Sequence, residues 1–187
     1  MMTTSESPPI TFAETHGAVK GYDKRAVDAF LVRAREAFET GAEPITAAEV
    51  RQAAFPLVRR GYVIAAVDAV LGRIEDAFAA REREEAVSSE GAHVWVGQTR
   101  ETAQVVLDRL SRPKGRRFTR VGPLRYGYRI DEVDLVADKI AKYLETGDSV
   151  TVEQVRAVAF RMQRGGYREV QVDAVLDAVI EVMLAVA

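Results

Sequence analysis

Gly61-Tyr-Val-Ile-Ala-Ala-Val-Asp68 is one of four versions of the same phrase: Gly-Tyr, four variable residues, then Val-Asp. The others are Gly21-Tyr22…Val27-Asp28, Gly127-Tyr128…Val133-Asp134 and Gly166-Tyr167…Val172-Asp173. A phrase repeated within one chain marks a structural unit that was copied, not a catalytic site built once. The first two versions and the last two stand at nearly equal spacing, and a wider gap separates Gly61 from Gly127. The flanks agree with that pairing. Ile45-Thr-Ala-Ala-Glu-Val-Arg-Gln-Ala-Ala-Phe55 aligns with Val150-Thr-Val-Glu-Gln-Val-Arg-Ala-Val-Ala-Phe160, Glu39-Thr40-Gly41 with Glu145-Thr146-Gly147, and Phe12 with Phe118. The order reads A-B-linker-A′-B′, a duplicated pair of units.

Each phrase leads into an amphipathic helix. Val27, Phe30, Leu31, Ala34 and Phe38 follow the helical period, as do Val67, Val70, Leu71, Ile74 and Phe78. Val133, Val136, Ile140, Tyr143 and Leu144 repeat it, and so do Val172, Val175, Leu176, Val179 and Met183. Asp23 is placed to cap the first helix, whereas Val63, Arg129 and Arg168 hold that position elsewhere. Thr46-x-x-Glu49 and Thr151-x-x-Gln154 read as capping boxes that open two further helices. Pro56 is expected to end the first near Phe55, and Arg161 in its place lets the second run longer. The recurring Gly implies positive φ or close packing, and the recurring Tyr a packed ring with a bonded hydroxyl.

The helix after Tyr62 reads from about Val63 to Val87, with Ser88-Ser-Glu-Gly91 breaking it. The linker then holds Val94-Trp95-Val96, too short for a sheet strand of its own, and a helix from about Thr99 to Ser111. The last helix, from Val172, is apolar on most sides, with acids only at Glu169, Asp173, Asp177 and Glu181. Such a face buries in a core or against a partner. Val175, Val179, Met183 and Val186 are the candidate interface.

The chain has 187 residues, 48% hydrophobic and 29% charged, with net charge -2 and no cysteine. That composition supports a core and excludes disulfide frameworks, thiolate metal sites and cysteine nucleophiles. The polar, proline-bearing start reads as a disordered tail over 1–10 rather than a signal peptide. No apolar run reaches the length of a membrane span. His16 and His93 lie far apart, and no metalloprotease, P-loop or nucleophile-elbow pattern is present. Carboxylate pairs such as Glu75-Asp76 read as solvated helix surface. Neither a catalytic site nor a cofactor or small-molecule substrate is indicated. Between Arg112 and Arg129, however, the sequence carries Arg112, Lys114, Arg116, Arg117, Arg120, Arg125 and Arg129 with no acid among them. Three readings compete: a loop paired to acidic helix faces, a contact with anionic lipid headgroups, and, last, a nucleic-acid contact helped by Phe118, Tyr126 and Tyr128.

Thr46-x-x-Glu49-Val50, Phe55, Arg60-Gly61-Tyr62 and Val67-Asp68-x-x-Leu71, with Lys20-Gly21-Tyr22-Asp23…Val27-Asp28-x-Phe30-Leu31, resemble the N-terminal domain of the DivIVA family. The arrangement is similar to actinobacterial proteins built from repeated DivIVA-type domains. The resemblance implies a coiled-coil scaffold that gathers on curved membrane and recruits division or growth machinery, its crossed loop touching lipid through an apolar residue and a base just before Gly-Tyr. Here those pairs are Val19-Lys20, Arg59-Arg60, Arg125-Tyr126 and Arg164-Gly165, and only Val19-Lys20 keeps the apolar-basic order. No helix reads long enough for an extended coiled coil. If one unit of the family pairs with its twin across a dimer, A and B joined in one chain can pair internally.

The expected fold is therefore all-α, about seven helices in two similar modules with no substantial sheet. Residues 11–90 form the first pair of units, 91–117 a linker with one helix and a basic loop, and 118–187 the second pair. The expected function is a non-enzymatic cytoplasmic scaffold or adaptor in cell division or envelope organisation. It binds proteins, by self-association or through division and envelope partners, and anionic membrane at the inner face of the cell membrane. A purely soluble protein adaptor is the alternative, and nucleic acid through 112–129 ranks below it. The candidate membrane or anion residues are Val19, Lys20, Arg59, Arg60, Arg112, Lys114, Arg116, Arg117, Arg120 and Arg125. The structural set is Gly21, Tyr22, Val27, Asp28, Gly61, Tyr62, Val67, Asp68, Gly127, Tyr128, Val133, Asp134, Gly166, Tyr167, Val172 and Asp173.

Overall fold

The computed structural model describes residues 11–41, 45–147 and 150–186. The tail expected over 1–10 lies outside the described residues. The chain divides into two compact units, Met1–Phe78 and Ala79–Ala187. Among the described residues it is mostly helical, with seven helices and two small two-stranded sheets.

The first unit contains β1 (Lys20–Tyr22), α1 (Lys24–Thr40), α2 (Ala47–Arg51), β2 (Leu57–Arg59) and the start of α3 (Ile64–Glu90). Asp23 caps α1, its carboxylate accepting from the Ala26 amide at 2.9 Å. Gly41, in a left-handed turn, ends it. The Thr46–Glu49 capping box forms in both directions. Helix α2 stops at Arg51, well short of Phe55. The backbone leaves the helix there because Leu57–Arg59 is needed as a strand, antiparallel to Lys20–Tyr22 in the register Gly21 to Val58. The Asp23 amide also donates to the Pro56 carbonyl at 2.8 Å.

Two glycines decide how the segments meet. Tyr22 and Tyr62 exchange both backbone hydrogen bonds, at 3.0 and 2.9 Å, so the two Gly-Tyr segments lie directly against each other. A Cβ on Gly21 would sit 2.2 Å from the Tyr62 carbonyl oxygen, and one on Gly61 2.4 Å from that of Tyr22. Neither glycine has a positive φ. Their role is close approach. The crossing brings α1 and the start of α3 together over Val27, Ala34, Val67 and Leu71, all buried, with the Phe38 and Phe78 rings 5.3 Å apart. The Phe55 ring packs against Tyr22 and Phe30, and Phe12 against Tyr62. Each fully buried aliphatic side chain of this set contributes about 1.5–3 kcal/mol. Glu75 is not surface: it is buried, and Arg51 of α2 donates to it at 2.7 Å.

The second unit contains α4 (Ala92–Leu110), β3 (Tyr126–Tyr128), α5 (Ile130–Thr146), α6 (Val152–Arg156), β4 (Met162–Arg164) and α7 (Glu169–Ala185). Tyr128 and Tyr167 exchange both backbone bonds at 2.9 Å. Gly127 and Gly166 leave no more room than the other pair, 2.2 and 2.4 Å to the facing carbonyls. Helix α6 ends at Arg156, no longer than α2, because the chain again turns to supply a strand. Arg129 and Arg168 stand at the cap positions of α5 and α7 without a side-chain bond.

Two expectations change here. Val94, Trp95 and Val96 belong to α4, which starts at Ala92 rather than near Thr99. Gly91, at φ 93, is the break before it. Val106 and Leu110 of α4 enter the core, and the Trp95 indole donates to the Ala185 carbonyl at 3.3 Å. Helix α7 spends its apolar face internally. Val179 and Met183 are core residues and Val175 packs on them, so these three are not a free interface; Val186 alone of that set is exposed.

Alanine at Gly21 or at Gly166 should destabilise the fold by about 3 kcal/mol, since the added carbon meets backbone that cannot move aside. Alanine at Gly97 of α4, with open space around it, should be neutral or stabilise by up to about 1 kcal/mol. Urea unfolding followed by far-ultraviolet circular dichroism checks the contrast.

Candidate functional site

Each crossing is tied by tyrosine and aspartate from opposite phrases. Tyr62 donates to Asp28 at 3.4 Å, and the Tyr22 phenol stands beside Asp68. Tyr167 donates to Asp134 at 3.1 Å, and the Tyr128 phenol stands beside Asp173. Burial, then the adjacent carboxylate, raises the Tyr22, Tyr62 and Tyr128 phenols above their ordinary value, Tyr128 to about 12. Burial also raises Tyr167. Asp68 and Asp173 are pushed up by burial, against the bond from their tyrosines. These groups hold the fold; the surfaces they position are the two turns beside the crossings.

The first turn is His16–Val19, closed by the Val19 amide on the His16 carbonyl at 3.3 Å, with Gly17 at φ 65. It leaves Val19 63% exposed. Lys20 follows, directly across the ribbon from Arg59, and Arg60 comes next. The tip thus gathers Val19, Lys20, Arg59 and Arg60. Glu14, the carboxylate of this segment, is occupied by Lys24 at 2.7 Å, whose bond and charge lower its pKa. Arg60 has φ 55, the only positive φ off glycine among the described residues, and at the matching place in the second unit Gly165 has φ 65.

The second turn is Gly122–Arg125, closed by the Arg125 amide on the Gly122 carbonyl at 2.9 Å. Its outermost residue, Leu124, is 84% exposed. Arg125 follows, and its carbonyl accepts from the Gly165 amide. Tyr126 is also exposed and lies across the ribbon from Arg164, whose guanidinium stands 5.7 Å over its ring. The sequence missed Leu124 because only the two residues before Gly127 were matched to a loop tip. Gly122-Pro123 is a turn signal, and a leucine after it, outside any helical stripe, was the available clue.

The basic loop between the two ends of this unit is divided. Arg117 is buried: it donates to the Asp134 carbonyl at 2.6 Å and to the Arg112 carbonyl at 3.0 Å, and pairs with Asp138. Lys114 also pairs with Asp138, at 2.8 Å. Arg117 is therefore withdrawn from the outward-facing set, because its charge is spent on the core. Arg112, Arg116 and Arg120 are exposed. Asp138 is held below the usual carboxylate range by Lys114 and Arg117.

An open cleft of about 820 Å³ lies beside this loop, lined by Lys114, Arg129, Ile130, Leu135, Arg161 and Met162 among others. Its rim cations are matched: Arg129 pairs with Asp131 at 2.7 Å and Arg161 with Glu132. Among the described residues no group of histidine, aspartate or glutamate is arranged to hold a metal ion, and no helix is long and apolar enough to cross a membrane. Compared with protein-family models, curated proteins and solved structures, the chain finds no match.

Two outcomes follow from this geometry. Arg60→Gly should raise stability by about 1 kcal/mol, by relieving a left-handed backbone that glycine adopts freely, as urea unfolding will show. The raised phenols make the protonated tyrosines part of the fold. Their contribution is whole below the ordinary value near 10 and disappears as pH rises through the folded value, about 12 for Tyr128. Ultraviolet phenolate titration should show a late component that Tyr128→Phe removes.

Proposed function

We propose that this chain is a non-enzymatic adaptor of the DivIVA type, made of two duplicated paired units. It docks on anionic membrane through its turn tips and carries protein partners in cell division or envelope organisation. The observation that carries the reading is the repeated make-up of the two tips. Val19-Lys20 and Leu124-Arg125 each place an exposed apolar residue before a base, with Arg59 and Arg60, or Arg164, on the facing strand. Bases near an anionic leaflet contribute roughly 1 kcal/mol each, and an apolar residue at the turn adds burial among the acyl chains. Each tip is weak alone, which suits a peripheral protein on the inner face of the cell membrane.

A tip made from two segments of one chain is complete in a single copy. Binding then needs no second copy to build the loop pair, and the protein partners are free to use other surfaces. Leucine and tyrosine favour the second tip for insertion, while the first depends on charge.

Co-sedimentation with vesicles tests this reading. The chain should pellet with phosphatidylcholine vesicles that contain phosphatidylglycerol and stay in solution with phosphatidylcholine alone. Lys20→Gln with Arg59→Gln and Arg60→Gln should weaken binding most at low salt, whereas Leu124→Ser should weaken it at every salt concentration. No pelleting with either vesicle would sink the membrane part and leave the soluble adaptor.

A further inference from the structure

We infer that the loop from Arg112 to Arg120 is a separate anion site, one that takes a compact multivalent phosphate group rather than a diffuse charged surface. Two of its five bases are spent on carboxylates. Arg117 reaches three places on the loop and α5: the Arg112 carbonyl, the Asp134 carbonyl and the Asp138 carboxylate. Lys114 closes on Asp138. The Gly115 amide donates to Asp134 at 2.7 Å, the Arg117 amide to the Tyr167 hydroxyl at 3.3 Å, and the Arg116 amide to the Pro113 carbonyl at 3.0 Å. Arg120 donates back to the Gly115 carbonyl at 3.1 Å. The loop backbone is thus fixed by its own amides and by the side chains of Lys114, Arg117 and Arg120.

The other three bases, Arg112, Arg116 and Arg120, are exposed and pair with no carboxylate of the described residues. The nearby acids are already taken. Asp134 and Asp138 belong to Arg117 and Lys114, Asp131 to Arg129, and Glu132 to Arg161.

The clamp is not needed to make the crossing. In the first unit Tyr62 bonds an exposed Asp28, and Thr11 stands where Arg117 does in the second. Burying a guanidinium and a carboxylate is costly, and such pairs are weak evidence for stability. What the second unit gains is a loop held in one shape. Three guanidiniums on a turn of fixed backbone suit a multivalent phosphate, since a planar fork can take two oxygens and the backbone that carries them needs no reordering on binding.

Calorimetric titration of the full chain with inorganic triphosphate tests the site. Saturable binding is expected, tighter than for monophosphate. Arg112→Gln with Arg116→Gln and Arg120→Gln should weaken it by about tenfold or more, while Leu124→Ser and the first-tip triple variant leave it unchanged. That independence separates failure here from failure of the membrane reading. Asp138→Asn gives the sharper answer. Removing a carboxylate makes the loop more positive, so charge alone predicts tighter binding, whereas loss of the clamp predicts several-fold weaker binding with the circular dichroism spectrum unchanged. Vesicles carrying a phosphorylated inositol headgroup distinguish the source: capture dependent on the three arginines assigns the site to a lipid, and triphosphate binding without capture to a soluble phosphate compound. Absence of saturable triphosphate binding, or tighter binding by Asp138→Asn, would overturn the proposal.

Discussion

Backbone against backbone at Gly21 and Gly61, and again at Gly127 and Gly166, is the contact on which each unit depends. Any Cβ at these positions would fall within 2.4 Å of a facing carbonyl oxygen. The paired tyrosine amides and carbonyls bond only because that space is empty. From the crossing everything else follows in order. The strands run out on one side to end in a turn, and the helices run away on the other with their apolar stripes facing. The turn tips are thus set by the same two glycines that set the core.

The spacing inside the phrase has its reason in the same contact. Tyrosine leaves the crossing, and aspartate sits six residues later, on the helix that the crossing starts. Each tyrosine then meets the aspartate of the other phrase, not of its own. A reciprocal pairing needs both ends in both segments, which is why Gly, Tyr, Val and Asp recur while the residues between them vary. The sequence therefore displays the helices, the capping boxes and the positions of the fold-making residues. It does not display which phrase crosses which, because the connecting segments carry no record of the contact.

What escaped the sequence shares one cause: each feature is decided by a neighbour distant in the chain. Helices α2 and α6 stop early because a strand is wanted beyond them, and no local breaker marks the place. Glu75 reads as solvated helix surface, yet Arg51, 24 residues away in the chain, covers it. Val94–Val96 reads as a linker run, yet it is the first turn of α4, and Trp95 there bonds the Ala185 carbonyl far along the chain. At the candidate site, Val19, Lys20, Arg59 and Arg60 are legible only as the residues just before Gly21-Tyr22 and Gly61-Tyr62, where the resemblance puts a loop tip; the ribbon that joins them is visible only in the structure. Leu124 was not, since its exposure depends on the turn and not on its position relative to Gly127.

The two units solve one problem with different polar chemistry, and that difference bears on function. A tyrosine–aspartate bond at the surface is sufficient for the first crossing, with Asp28 in solvent. The second buries Asp134 and adds Arg117, a charge that must be fully bonded to be tolerated in a core. Arg117 meets that demand by taking carbonyls from both the loop and α5. The bonds that satisfy the buried charge are therefore the same bonds that shape the loop. A polar core group of this kind contributes little net stability but leaves few alternative conformations for the segment it holds. Selection for a packed core alone would favour an apolar residue at Arg117. Its presence there gives the loop its single shape, through the carbonyls of Arg112 and Asp134.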